Sequence, residues 1–85
     1  MRTYTREMDP LYFFAIDHTL PHRIAAILVE LFWSRFTVDS FFETSNREMV
    51  RIMRDDAQLT VDDIYLVMLV VHAYRRILVS RMQRG

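Results

Sequence analysis

Apolar residues recur at helical spacing along this chain, and one stretch carries more of them than a single buried face requires. That stretch is Thr60 to Arg84, where no Gly or Pro interrupts the predicted helix. Its apolar residues form two stripes: Ile64, Val67, Met68 and Val71 in the first, and Leu66, Leu69, Val70 and Ala73 in the second. A helix that is apolar on nearly every side is typical of a buried helix. We therefore expect this helix to be central and buried, Leu69 included.

Three further stretches predict shorter helices, each with a start signal. Asp9-Pro10 begins the first, because Asp caps exposed N–H groups and Pro fits the first helical position. Pro21 follows a break and begins the second, and Ser45 to Glu48 has the spacing of a capping box before the third. The predicted helices cover residues about 10–18, 21–36, 46–56 and 60–84.

No strand pattern, internal repeat or domain linker interrupts this order. The chain has one Gly, at its end, and no alternating apolar run between turn residues. The sequence therefore predicts a single all-α domain over residues 1–85. Its architecture is a small bundle of about four helices around a buried C-terminal helix.

The composition adds a prediction about partners. The 85 residues are 52% apolar and 13% aromatic, and a chain of this length buries only about 60–65% of its unfolded surface. The surplus predicts an obligate dimer or a tight complex with another chain, with an apolar interface larger than about 1,200 Å². Aromatic anchors dominate such interfaces. The candidates for this surface are Trp33, Phe36, Phe41 and Phe42.

The charges are balanced, with 11 basic and 11 acidic residues. This balance argues against a strong field for nucleic acid or anionic lipid. Every basic residue is Arg, whose planar fork binds carboxylates and stacks on rings at interfaces. The arginines on two helices are therefore predicted to contact the protein partner: Arg47, Arg51, Arg54, Arg75 and Arg76.

The polar residues give no pattern that indicates catalysis. The chain has no cysteine, hence no disulfide or thiolate metal site. His18 and His22 are four residues apart, but Pro21 lies between them, so a shared metal site is not expected. His72 lies in the apolar helix and is expected in the core. We expect no enzymatic activity, no cofactor and no bound metal.

The apolar runs are too short for a membrane span. The longest, Ile24 to Val29 and Ile64 to Val71, fall far below the roughly 18–20 residues that cross a bilayer. The first residues contain no apolar signal core. We therefore expect an intracellular protein, in cytoplasm or nucleus, without membrane contact.

The segment from Met49 to Ser80 has a recognisable cadence. A helix is followed by a short link carrying Leu59 and then by a strongly apolar helix that contains Tyr74, Arg76 and Leu78. This order resembles the early part of a cyclin box, in particular that of the fungal cyclins that partner phosphate-signalling kinases. Arg76 falls on the family's Arg, whereas Arg75 stands where the family has Asp. The resemblance implies an all-α regulatory protein with a kinase as its partner.

The leading hypothesis is a non-catalytic protein–protein interaction module, with a divergent or truncated cyclin-like regulator as its specific form. One alternative is a helical protein that binds nucleic acid through its Arg-rich helix faces. Another is a purely structural homodimer. Binding to nucleic acid that falls steeply with salt would separate the first alternative from the other two.

Overall fold

The structure is a computed structural model that describes residues 5–84, with the side chains of Val38 and Arg84 left aside. Over this range the chain consists of helices and turns without a strand, which confirms the predicted all-α class. After a short 3₁₀ helix at Arg6–Met8, the elements are α1 Pro10–Asp17, α2 His22–Arg35, α3 Val38–Glu43, α4 Asn46–Asp55 and α5 Val61–Arg84. Both ends of each predicted helix lie within one residue of the observed ends.

The predicted caps begin their helices as local chemistry requires. Asp9 accepts a hydrogen bond from the Leu11 N–H at 2.8 Å, and Thr60 accepts one from the Asp63 N–H at 3.2 Å. Ser45 accepts from the Glu48 N–H at 3.1 Å. In the predicted capping box the Glu48 carboxylate would accept from the Ser45 N–H. It accepts instead from Arg51 Nε at 3.0 Å.

Helix α3 lies between the second and third predicted helices, in a stretch for which no helix is predicted. A capping box starts it: Thr37 Oγ1 accepts from the Ser40 N–H at 3.1 Å, and Ser40 Oγ accepts from the Thr37 N–H at 2.8 Å. Ser40 takes the position that Glu or Gln usually fills in this motif. Because Ser40 stands in place of Glu or Gln, residues 37–40 lack the usual sequence pattern of a capping box. The result is that Phe41 and Phe42 lie on a helix.

The described residues fall into two compact units, the first ending at Thr44 and the second beginning at Ser45, and the single domain over 1–85 stays a prediction. In the first unit α1 packs on α2. Two side-chain bonds join these helices: Trp33 Nε1 donates to Asp9 Oδ2 at 2.7 Å, and the Tyr12 hydroxyl pairs with His22 Nδ1 at 3.0 Å. The apolar core residues of these two helices are Leu11, Tyr12, Ala15, Ile24, Ala25, Leu28 and Val29.

In the second unit α4 packs on α5. Met49, Ile52 and Met53 are the buried residues of α4, and their spacing of three or four residues places them on one face. Arg75 of α5 lies close to α4, with Nη1 3.5 Å from Asn46 Oδ1 and Nη2 3.6 Å from Met49 Sδ. Burial of its guanidinium lowers the pKa of Arg75. These contacts fix the side of α5 that meets α4.

Candidate functional site

Helix α5 buries one apolar face and leaves another exposed, and the division does not follow the two predicted stripes, because Val70 of the second stripe is buried. Ile64, Val67, Val70 and Val71 are buried in the chain, which we call the inner stripe. Leu69 is 51% exposed, although it follows the same apolar run and was expected in the core. That prediction is wrong for Leu69 because only one side of α5 is covered. The helix is thus buried along one face and not around its whole circumference.

The exposed apolar face of α5 is continuous along the helix. We call it the outer stripe and define it as Leu66, Leu69, Ala73 and Ile77. Successive members are three or four residues apart, so their side chains line one face. Leu66 and Ile77 are exposed and Ala73 is half-buried. An exposed apolar stripe on a helix is the geometry with which helices bind a groove or another helix.

Tyr65 widens the outer stripe on one side. Its side chain is 66% exposed, and it lies four residues before Leu69 on the helix surface. His72 is also exposed beside Leu69, whereas the sequence predicts it in the core. Tyrosine combines a large apolar ring with a polar tip, and this combination makes it common among interface anchors.

Opposite charges lie at the two ends of the same face. Asp62 and Arg76 are exposed, and each is seven residues from Leu69. Seven residues are almost two helical turns, so Asp62, Leu69 and Arg76 lie close to one line along the helix. The exposed face of α5 therefore runs from an acidic end, across apolar side chains, to a basic end.

The predicted aromatic contact surface is for the most part a cluster inside the first unit. Phe41 is 2% exposed, and its ring centroid lies 4.8 Å from that of Phe32. The ring centroids of Phe36 and Phe42 lie 6.1 Å and 5.9 Å from that of Phe41, each in an edge-to-face arrangement. Phe41 is therefore a core residue of the first unit, and its contact with a partner stays a prediction. Phe36 and Phe42 are half-buried around it.

Trp33 is the most exposed of the predicted aromatic anchors, at 42%. Its indole N–H donates to the Asp9 carboxylate, whose other oxygen caps α1. This bond holds the indole against α1 while part of the ring faces solvent. Trp33 therefore has a structural role in the first unit, in addition to its predicted place on a contact surface.

The predicted arginine stripe is exposed along α4, and much of its charge is balanced on that helix. Arg51 Nε donates to Glu48 at 3.0 Å, and Arg54 Nε donates to Asp55 at 2.9 Å. These bonds lower the pKa of both carboxyl groups and raise the pKa of both guanidinium groups. Arg47, Arg51 and Arg54 line an open depression of about 570 Å³ together with Glu48. The ion pairs reduce the positive field that nucleic-acid binding requires.

The two predicted arginines of α5 differ in their surroundings. Arg75 is half-buried beside α4, so it is part of the packing of the second unit. Arg76 is exposed on the face that carries the outer stripe. Of this pair, Arg76 has the position expected of a residue that contacts another chain.

The histidines that the sequence places near each other have separate structural partners. His22 pairs with the Tyr12 hydroxyl, and His18 Nδ1 lies 2.9 Å from the Phe14 carbonyl oxygen. Within residues 5–84 no cluster of three or more His, Cys, Asp or Glu side chains has a metal-binding arrangement. In the same range, none of the helices combines the length and the apolar character needed to span a bilayer.

Comparisons of the chain with protein-family models, with curated proteins and with solved structures find no match. The resemblance of Met49 to Ser80 to a cyclin box therefore stays a prediction, and so does the kinase partner that it implies. Sequence reasoning placed Leu66, Leu69 and Ala73 in one stripe with Val70 and assigned the whole stripe to the core, although only Val70 of these four is buried. The available signal was the presence of two apolar stripes on one helix.

Proposed function

We propose that this chain is a non-catalytic interaction module that binds another protein chain through the outer stripe of α5. The observation that carries this proposal is the exposure of Leu66, Leu69 and Ile77 on one face, with Tyr65 beside them. These side chains lie on a regular helix, which holds them in fixed relative positions before a partner binds. A preorganised surface loses less conformational entropy on association than a mobile one.

The apolar character of the outer stripe supports a protein partner. Complete burial of an exposed Leu side chain contributes about 1.5–3 kcal/mol, and a partner can add only part of this at Leu69, which is 51% exposed. The contributions of several neighbouring side chains of this kind add together against the entropic cost of association. The partner surface that fits is an apolar helix face or groove.

The ionic contacts on α4 favour a protein partner over nucleic acid. Glu48 and Asp55 engage Arg51 and Arg54, so these arginines do not form a stripe of uncompensated charge. Nucleic-acid binding gains most of its affinity from uncompensated cations near phosphates. The apolar outer stripe is thus a better basis for recognition than the arginines of α4.

Two single substitutions on α5 test the proposal. Leu69→Glu places a charge in the middle of the outer stripe, and Met82→Glu places the same charge on an exposed side chain elsewhere on the helix. Both residues are exposed, so both variants should keep the helical circular dichroism of the wild type. The immobilised wild-type chain and each variant are exposed to a native cell extract and to the purified chain, and the bound proteins are compared.

The Leu69→Glu variant should no longer bind the protein that the wild-type chain binds, whether this protein comes from the extract or is the purified chain itself. The Met82→Glu variant should bind it as the wild type does, because its charge lies outside the outer stripe. Equal binding by the wild type and the Leu69→Glu variant would contradict the proposal, and so would the absence of specific binding by the wild-type chain.

A further inference from the structure

The exposed face of α5 carries opposite charges at equal distances on either side of Leu69, so it is complementary to an antiparallel copy of itself. Asp62 lies seven residues before Leu69, and Arg76 lies seven residues after it. All three side chains are exposed and share one face of the helix. The distance along the helix axis from Asp62 to Arg76 is about 21 Å, with Leu69 at its midpoint.

A second copy of α5, laid antiparallel on this face, meets opposite charges at both ends of the contact. If the two-fold axis passes at Leu69, each Asp62 lies level with Arg76 of the other copy, and the two Leu69 side chains meet at the axis. A two-fold contact repeats every pair, so one complementary arrangement on the chain produces two ion pairs in the dimer. A parallel arrangement brings Asp62 to Asp62 and Arg76 to Arg76, which repel.

The sizes of the apolar side chains fit the same arrangement. With the axis at Leu69, Tyr65 lies level with Ala73 of the second copy, so a large ring meets a small side chain. A small side chain opposite a large one lets the ring fill the space between two packed helices without leaving a void.

From the charge and size complementarity we infer that the partner of the outer stripe is a second copy of this chain, bound antiparallel along α5 with the two-fold axis at Leu69. This inference rests on the proposed function, and it names the occupant. The dimer contact consists of an apolar centre at Leu69, Tyr65 and Ala73, closed at each end by an Asp62–Arg76 ion pair.

Charge exchange at Asp62 and Arg76 tests the arrangement. In Asp62→Arg, each new Arg faces Arg76 of the second copy, and in Arg76→Asp, each new Asp faces Asp62. Either single variant should have a dimer dissociation constant at least about tenfold above that of the wild type. Sedimentation equilibrium of the full chain at low ionic strength measures these constants. The differences should decrease as salt is added.

Two recombinations of these changes should restore the dimer. The double variant D62R/R76D has both ion pairs with the signs exchanged, so its dissociation constant should return close to that of the wild type. An equimolar mixture of the two single variants should form heterodimers, since each mixed contact pairs Arg with Asp. The helix dipole alone predicts that the double variant does not recover, because D62R/R76D places a cation at the N-terminus of α5 and an anion near its C-terminus.

Cysteine cross-linking gives an independent measure of orientation, and the chain has no native cysteine. Asp62→Cys and Arg76→Cys variants are mixed and oxidised, because a disulfide forms only when the two Cα atoms lie within about 7 Å. The antiparallel dimer should give the mixed 62–76 disulfide as the main product. A parallel dimer would give 62–62 and 76–76 disulfides and would overturn the inference.

Three further outcomes would overturn it: a wild-type chain that stays monomeric at high micromolar concentration, single charge variants that associate as the wild type does, and a double variant that does not recover. These failures are distinct from failure of the proposed function. A monomeric chain whose binding to a different protein is abolished by Leu69→Glu would support the proposed function and refute the self-association.

Discussion

The two stripes of α5 are alike in composition and differ in their environment. The inner stripe holds Val67 and Val70, which are buried, and the outer stripe holds Leu66 and Leu69, which are exposed. Leu69 and Val70 are neighbours in the chain, with 51% and 2% of their surface exposed. Hydrophobicity alone therefore does not tell which face of a small helical protein forms its core and which is left for a partner.

The largest expected effect comes from the same substitution at these two neighbours. Val70→Asp places an unpaired charge in an apolar core, which costs several kcal/mol against a total stability of about 5–15 kcal/mol. We expect this variant to lose its helical circular dichroism at 25 °C. Leu69→Asp should keep that signal, because its carboxylate stays in water. Two variants that melt alike would show that the stripes do not differ as described.

The first unit offers the same comparison with aromatic residues. Phe41→Ala removes a buried ring from the aromatic cluster and should lower the free energy of unfolding by about 3–5 kcal/mol. Phe13 is 59% exposed and makes an edge-to-face contact with Tyr12. Phe13→Ala should cost only about 0.5–1 kcal/mol. Denaturant titration measures both values, and a Phe13→Ala variant as unstable as Phe41→Ala would contradict the assignment of Phe41 to the core.

The helix caps extend the comparison to small polar residues. Thr37→Ala, Ser45→Ala and Thr60→Ala each remove an oxygen that accepts from a helix N–H, and each should cost about 0.5–2 kcal/mol. The control is Ser80→Ala, a similar deletion at an exposed site within α5, which should change stability by less than about 0.5 kcal/mol. Unfolding midpoints equal to that of the wild type for all three cap variants would place the helix starts elsewhere.

The smallest expected effect concerns the ion pairs on the exposed face of α4. Bonds from Arg51 and Arg54 hold the pKa of Glu48 and of Asp55 below their ordinary values in the folded chain. The unfolded chain therefore takes up protons first as the pH falls. The pairs contribute stability above the unfolded pKa values, near pH 4, and this contribution is lost as the pH falls through the folded values.

Unfolding measured between pH 7 and pH 2 should show this loss at low salt and little of it at high salt, since the side chains are exposed. Glu48→Gln removes one titrating partner and keeps the shape of the side chain. The variant should show a shallower decrease of stability with acid. A wild-type profile that is unchanged by salt would contradict the role of these pairs.

Most helix boundaries were determined by the sequence because their causes are local. Asp9, Ser45 and Thr60 each accept from an N–H two or three residues ahead, and such bonds need no distant neighbour. The all-α class follows from the same local information. Helix α3 was missed because Ser40, in place of the usual Glu or Gln, completes its capping box.

The tertiary structure decided which of the sequence-predicted apolar residues are covered. Periodicity shows that Leu69 and Val70 are on a helix. It does not show which face of that helix another element covers. For the same reason Phe41 and Phe42 look alike in the sequence, although one is at the centre of an aromatic cluster and the other at its edge. Burial depends on contacts between residues distant in the chain, and these contacts place Leu66 and Leu69 at the surface and Val70 in the core.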